Sequence, residues 1–294
     1  MILVAGGTGT LGTTLVRTLV DHGDPVRVLT RTEQHADQLR AAGVEVVIGD
    51  VRVASTVAAA VRGCSTVISA VHGFVGPRAV NPANVDRDGN RTLIRAALDV
   101  GVDHLVLVSV YGAAPTHPMS LHRMKYAAEQ SLINSGLNWT IVRPVPFMET
   151  WIGVIGAHLA DQGKALVPGP GDNPINVVSV RDVATVIDRA VRDDTMRNRN
   201  LDVIGPASLT FRQIAEQIIA TDATPSRIVH LPLALLRVMS VMAKPVAPAF
   251  ARQAQAAVIM NTTDMTAASH TPPPHLAATT LGQLLQDPSH SRAM

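Results

Sequence analysis

The chain begins Met1-Ile2-Leu3-Val4-Ala5 and runs directly into Gly6-Gly7-Thr8-Gly9-Thr10-Leu11-Gly12, with a helical pattern after it. A short apolar strand, three glycines at three-residue spacing and a helix together predict a phosphate-binding turn. In this interpretation Gly6 permits the sharp turn, Gly9 lets the backbone approach a pyrophosphate, and Gly12 lets the helix pack closely on the strand. The backbone N–H groups from Thr8 to Leu11 would then point at the phosphates. The alternative is a tight turn that binds no ligand.

Strand and helix patterns alternate regularly through the first half of the chain. The predicted strands are Ile2–Ala5, Val26–Thr30, Val44–Ile48, Thr66–Ala70, His104–Ser109 and Trp139–Val142, and the predicted helices are Leu11–His22, Glu33–Ala42, Ser55–Val61, Val85–Val100 and Met119–Ser135. Strands that are apolar almost throughout, with a helix between each pair, are typical of a parallel sheet covered on both faces. We therefore predict a doubly wound α/β Rossmann fold.

The regular alternation ends after Arg143-Pro144. Pro168–Asp172 reads as a loop with a short hairpin around it, and Asn176–Ser179 with Arg181–Arg192 reads as a strand and a helix that return to the main sheet. We expect a dinucleotide-binding domain over residues 1–145, with 175–192 returning to it. Residues 146–174 and 193–294 are expected to form a smaller, mostly helical substrate-binding region.

Composition excludes several classes of protein. Hydrophobic residues make up 47% of the 294 residues and charged residues 16%, which argues against intrinsic disorder. The chain has 25 basic and 23 acidic residues and only 3% aromatic residues, so we expect no nucleic-acid partner. A single cysteine and scattered histidines indicate no metal site. With no signal peptide and no membrane-spanning stretch in the sequence, we expect a cytoplasmic protein without a membrane partner.

A family resemblance rests on several motifs together. They are the glycine-rich turn, Gly49-Asp50-Val51, Ser109, Lys125 and Ile141-Val142-Arg143-Pro144. In these motifs residues 1 to about 190 resemble the atypical short-chain dehydrogenases/reductases, in particular the NmrA-like NAD(P)H-binding group.

The resemblance implies further cofactor contacts. Asp50 and Val51 would hold the adenine, Ala70, Val71 and His72 would lie beside the nicotinamide ribose, Lys125 would bind that ribose, and Pro144 to Phe147 would face the carboxamide. Each has an ordinary alternative: Asp50 could cap a loop, and Lys125 could be a solvated charge paired with Glu129.

The residue four positions before Lys125 is Leu121, where the resemblance implies a tyrosine as proton donor. Leucine cannot donate a proton, so another group must do so if the chain is a catalyst. The candidates are Ser109 and Tyr111, at and just beyond the end of one strand, and His122, three residues before Lys125. The alternatives are a packing role for Tyr111 and simple surface exposure for His122.

Cofactor preference is predicted from the end of the second strand. Arg31 follows Val28-Leu29-Thr30, and no acid stands at the tip of that strand. An acid there would repel a 2′-phosphate, whereas a guanidinium can bind it. We therefore expect NADP(H) rather than NAD(H), the alternative being that Arg31 is an ordinary solvated loop residue.

Apolar residues after Arg143-Pro144 are the candidate substrate contacts. Phe147, Met148 and Trp151 would line the pocket, and Leu233, Leu236, Val238 and Met239 would cover it. The substrate would then be small and apolar or aromatic.

The sequence therefore predicts an NADPH-dependent oxidoreductase that reduces a carbonyl, a quinone or a conjugated alkene. The alternatives are a non-catalytic NADP(H)-binding redox sensor of the NmrA type and an accessory subunit that keeps the nucleotide for stability. A homodimer, or a protein partner for a sensor, is compatible with the sequence.

Overall fold

A parallel sheet forms the centre of the first of two units. The computed structural model describes residues 1–76, 79–221, 225–267 and 275–287. One unit consists of Met1–Pro144 with Val183–Asp202, and the other of Val145–Asp182 with Val203–Met294.

The strands are β1 (Ile2–Ala5), β2 (Val26–Thr30), β3 (Glu45–Ile48), β4 (Thr66–Ser69), β5 (His104–Val108), β6 (Asn138–Pro144), β7 (Lys164–Pro168), β8 (Pro174–Asn176), β9 (Arg199–Ile204), β10 (Ser208–Thr210), β11 (Arg227–Leu231) and β12 (His275–Leu276). The α-helices are α1 (Thr10–Asp21), α2 (Ala36–Ala41), α3 (Ala54–Val61), α4 (Asp88–Asp99), α5 (Ser120–Ile133), α6 (Met148–Gly156), α7 (Leu159–Gln162), α8 (Val180–Arg192), α9 (Phe211–Thr221), α10 (Leu233–Met242), α11 (Pro248–Thr262) and α12 (Leu281–Gln286).

The main sheet has the order β3-β2-β1-β4-β5-β6-β9, and β12 pairs with the last two residues of β9. From β3 to β6 every pair is parallel, with Ile2 beside Val26 on one side and beside Thr66 on the other. Burial on both faces explains the apolar strands, since all of β1, β4 and β5 is buried. The doubly wound fold is confirmed. The strand order reverses between β1 and β4, where open α/β sheets form a ligand crevice.

Helix α1 shows how local sequence builds the layers around the sheet. Leu11, Leu15 and Leu19 recur every four residues and are buried, so one stripe of the helix faces the sheet. The helix stops where Gly23 adopts a φ of +80°, a conformation that glycine reaches without strain. The chain can then turn back into β2.

The second unit has its own core around Phe211, which is fully buried among Ile152, Val167 and Ile214. It also contains a helical hairpin of α10 and α11, in which Leu236 packs against Ala254 and Ala257. None of the helices in the described ranges has the length and apolar character that a membrane crossing requires.

Three sequence predictions about this region were wrong. No hairpin surrounds residues 168–172, because β7 pairs in parallel with β11 and β8 pairs antiparallel with β10. The strand predicted at Asn176–Ser179 is the short β8, which lies in that two-stranded sheet instead of the main one. The segment that returns to the first unit is 183–202 instead of 175–192, because β9 joins the sheet after α8.

Candidate active site

The glycine-rich turn joins β1 to α1 at the carboxyl edge of the sheet. Gly6 has a φ of +88°, and a Cβ there would lie 2.7 Å from the carbonyl oxygen of Ala70. A Cβ on Gly12 would lie 2.0 Å from the carbonyl oxygen of Gly6, so the helix packs directly on the turn. A Cβ on Gly9 would meet nothing nearer than 3.6 Å, and this residue is exposed. The space in front of Gly9 and the N–H groups of the first helical turn suit a pyrophosphate.

A cleft opens in front of this turn within the first unit. Its walls come from the ends of β1, β2, β3 and β4, and its lining includes Gly6, Thr8, Gly9, Arg31, Asp50, Val51, Ala70, Val71 and His72. All nine were predicted from sequence as cofactor contacts, so the fold brings that part of the predicted set together. Leu11 and Gly12 are buried in α1 behind the turn.

Arg31 and Asp50 face this cleft from neighbouring strands. Arg31 is exposed directly after β2. The Arg52 guanidinium donates to both carboxylate oxygens of Asp50, with Nη2–Oδ2 at 2.6 Å and Nε–Oδ1 at 3.0 Å, and it lowers the pKa of that carboxyl below its usual range. Arg31 adds a smaller lowering of the same pKa. Arg52 also donates to the carbonyl of Ala79, so it fixes Asp50 at the rim of the cleft.

Lys125 is buried in α5, with 3% of its surface exposed. Its Nζ donates to the carbonyl oxygens of Val71 and Val108, each at 2.8 Å, and lies 3.1 Å from Oδ1 of Asp86. The other carboxylate oxygen of Asp86 accepts the N–H of Gly73 at 2.8 Å. Lys125 therefore ties together the ends of β4 and β5, and the sequence alternative of a solvated charge paired with Glu129 was wrong.

Ser109 takes part in a buried ionic network. Its hydroxyl donates to Oε1 of Glu129 at 2.5 Å, and Arg143 donates to both oxygens of the same carboxylate at 2.9 and 2.7 Å. Glu129 is fully buried, so Arg143 supplies the charge that it requires. The hydroxyl proton of Ser109 is thus engaged in the hydrogen bond to Glu129.

His122 and Tyr111 are the other two candidate proton donors. His122 is 9% exposed and stacks on His117 at 3.8 Å between ring centroids, which overturns the sequence alternative of an exposed histidine. Burial lowers the pKa of His122 to about 3, so its imidazole is neutral near pH 7. Tyr111 is half-buried, and its backbone N–H donates to the carbonyl of Pro144 at the end of β6.

His72 is exposed at the cleft. It lies beside Val71, whose carbonyl oxygen accepts from Lys125. Lys125 thus contacts the residue that directly precedes this histidine.

The predicted substrate contacts fall in the second unit. Phe147 is half-buried before α6, Met148 is in the core, and Trp151 packs on Phe211 with ring centroids 4.4 Å apart. Met148 also borders a small apolar pocket with Leu209 and Leu281.

The residues expected to cover the pocket lie on helix α10 of the second unit. Leu233, Leu236 and Met239 belong to the core of the α10–α11 hairpin, and Val238 is exposed.

Sequence reasoning missed the ionic partners that fix the site. Lys125 pairs with Asp86, and Asp50 pairs with Arg52. Ser109 donates to Glu129, which in turn pairs with Arg143. None of these contacts was predicted. The spacing of Lys125 and Glu129 on one helix was the only available signal. The described residues contain no cluster of His, Cys, Asp and Glu that could hold a metal ion.

Comparison with known proteins agrees with this geometry. Residues 6–194 match the model of a family described as NAD(P)H-binding. An NAD(P)H azoreductase of Xenophilus azovorans is 33% identical over 79% of this chain and 78% of its own length. The photosystem II assembly factor Ycf39 of Synechocystis sp. is 29% identical over 81% of this chain and 72% of its own length.

Among solved structures, the triphenylmethane reductase of Citrobacter sp. in complex with NADP(H) superposes with a TM-score of 0.75 over 92% of this chain and 93% of its own. At 17% sequence identity this similarity supports the fold alone. The family match covers more than half of the chain and contains the glycine-rich turn and the cleft. The chain therefore belongs to the NAD(P)H-binding family, among the atypical short-chain dehydrogenases/reductases.

Proposed function

We propose that this protein is an NADPH-dependent reductase of a small apolar or aromatic acceptor, such as a carbonyl, a quinone or a conjugated alkene. The observation that carries the proposal is the cleft, where the start of α1 offers free N–H groups and Arg31 stands exposed at the end of β2. The 33% identity to a protein named as an azoreductase supports an acceptor of this kind.

The residues of the cleft and Lys125 have separate tasks in this proposal. The N–H groups after Gly9 and the dipole of α1 bind the pyrophosphate, and Arg31 binds the 2′-phosphate. Lys125 acts through Val71 and Val108, because its Nζ already contacts both carbonyl oxygens and Asp86. The reduced nicotinamide would supply a hydride when bound.

Tyr111 is the proton donor that we favour. The hydroxyl of Ser109 already donates its proton to Glu129 in a hydrogen bond. The imidazole of His122 is neutral, and a neutral imidazole is a weaker acid than the phenol of Tyr111. Leu121 has no proton to give. Tyr111→Phe should lower turnover without changing NADPH affinity, whereas full activity in this variant would assign the proton to water or to another group.

A non-catalytic role is the second candidate. Leu121 at the position of the expected tyrosine favours it, and so does the relative named as an assembly factor. Such a protein would bind NADPH for regulation or for stability.

One assay separates the two candidates. Purified protein is mixed with NADPH and a panel of quinones, ketones, enones and azo dyes, and the loss of NADPH absorbance is followed. A reductase consumes NADPH with at least one acceptor. A protein that binds NADPH in a fluorescence titration and consumes none with any acceptor would contradict the proposed activity.

A further inference from the structure

Helix α10 is apolar on two opposite faces. Its inner face carries Leu236, which is 5% exposed and packs on Ala254 and Ala257 of α11. Its outer face carries Leu235, Val238 and Val241, which are exposed. A surface helix normally presents polar residues on the side away from its core. The outer face of α10 therefore lacks the composition of a solvated surface.

Exposure increases steadily toward the turn between α10 and α11. The exposed fractions are 48% for Leu235, 59% for Val238, 60% for Val241, 71% for Met242 and 85% for Val246. Phe250, in the first turn of α11, is 40% exposed. We call Val241, Met242, Val246 and Phe250 the hairpin tip. Because these side chains protrude more as the tip is approached, they form an apolar projection instead of a groove.

The charged residues of the hairpin itself have one sign. The sequence contains no Asp or Glu between Asp222 and Asp264. Four basic residues, Arg227, Arg237, Lys244 and Arg252, lie within this stretch. Arg237 and Lys244 are exposed beside the apolar face of α10 and at the turn. Apolar side chains flanked by cations, without acids, are complementary to an anionic and deformable surface.

We propose that the α10–α11 hairpin docks on the surface of a membrane that contains anionic lipids. The hairpin tip would enter the boundary between headgroups and acyl chains, and Arg237 and Lys244 would contact lipid phosphates. This is contact with one leaflet and not a crossing. It revises the sequence expectation of no membrane partner, and it does not depend on the proposed reductase activity.

A second copy of the chain fits the hairpin less well. In a symmetric dimer the same patch meets itself, and residues between 222 and 264 would bring together cations without any acid to balance them. A projection also needs a matching concave partner in a protein interface, whereas lipid adapts to its shape. An anionic bilayer satisfies both the charge and the shape.

The test measures vesicle binding by the full-length protein. Vesicles contain either phosphatidylcholine alone or phosphatidylcholine with about 30 mol% phosphatidylglycerol, and bound protein is separated by sedimentation. We expect binding to the anionic vesicles only, with loss at about 0.5 M salt. Lys244→Gln and Arg237→Gln should each weaken it about fivefold, since a basic residue near the surface contributes about 1 kcal/mol.

Exposed positions supply a matched pair of variants. Met242→Glu with Val246→Glu should abolish vesicle binding, and Val154→Glu, at a 46% exposed valine on α6 of the same unit, should leave it unchanged. Circular dichroism checks that all variants are folded. Absence of binding by the wild-type protein, equal binding by the tip variant, or a concentration-dependent dimer that the tip variant abolishes would each overturn the proposal.

Discussion

Gly9 and Gly12 are three residues apart and differ in what a side chain would meet. Gly9 has a φ of −80° and open space before it, so an L-residue fits. We expect Gly9→Asp to keep the fold and lose measurable NADPH binding, because a carboxylate would occupy the place of the pyrophosphate. Gly12→Ala should instead lower the stability by at least about 1–3 kcal/mol, because its Cβ would overlap the turn. Thermal unfolding and fluorescence titration distinguish the two, and normal binding by folded Gly9→Asp protein would refute the site.

Arg31 is the residue that we expect to set cofactor preference. Arg31→Ala should weaken NADPH binding about ten- to hundredfold, since a hydrogen bond to a charged group contributes about 1.5–3 kcal/mol. NADH affinity should be nearly unchanged, because NADH has no 2′-phosphate. Arg62→Ala serves as the control, since Arg62 is exposed and does not line the cleft. Equal affinity of the wild type for the two cofactors would show that Arg31 has no such role.

At the scale of single elements, local signals predicted more than long-range pairings. Strands β1 and β2 begin and end where the sequence predicted, because Gly6 ends the first apolar run and Pro25 and Arg31 bound the second. The pairing of β7 with β11 joins residues 164–168 to residues 227–231, and no local pattern encodes it. The short strands of the second unit were therefore misassigned.

Helix α5 shows both a feature that the sequence could predict and one that it could not. One face of this helix is polar and buried. His122, Lys125 and Glu129 share this face, and the sequence could locate Lys125 on the helix. It could not identify Asp86 as the partner, because Asp86 comes from a separate segment before α4. Tertiary contacts alone decide which cation neutralises which acid.

The Lys125–Asp86 pair gives a prediction for α5. Lys125→Met should lower the free energy of unfolding by about 3–5 kcal/mol, because it leaves a buried carboxylate without its cation. Adding Asp86→Asn should restore part of that loss, since an amide oxygen can still accept the N–H of Gly73. Urea unfolding of the two variants measures this. A double variant less stable than Lys125→Met would mean that the pair is not the source of the loss.

For the molecule as a whole, the buried histidines His104 and His122 should govern acid stability. Burial lowers their pKa values to about 4 and about 3, below the unfolded value of about 6.5. Below pH 6.5 the unfolded chain therefore binds protons that the folded protein does not. The free energy of unfolding decreases as the pH is lowered, until the pH reaches the pKa values of the folded protein. Each histidine contributes about 1.4 kcal/mol per pH unit in that window.

His122→Phe tests this linkage. The phenyl ring can replace the imidazole in the stack on His117, and Nδ1 of His122 has no hydrogen-bond partner to lose. Between pH 7.5 and 5.0 the variant should lose about 2 kcal/mol less stability than the wild type. Trp139 belongs to the first unit and Trp151 to the second, so a Trp151→Phe background lets Trp139 fluorescence follow the unit that contains both histidines. Equal losses in wild type and variant would show that His122 does not hold a lowered pKa in the folded protein.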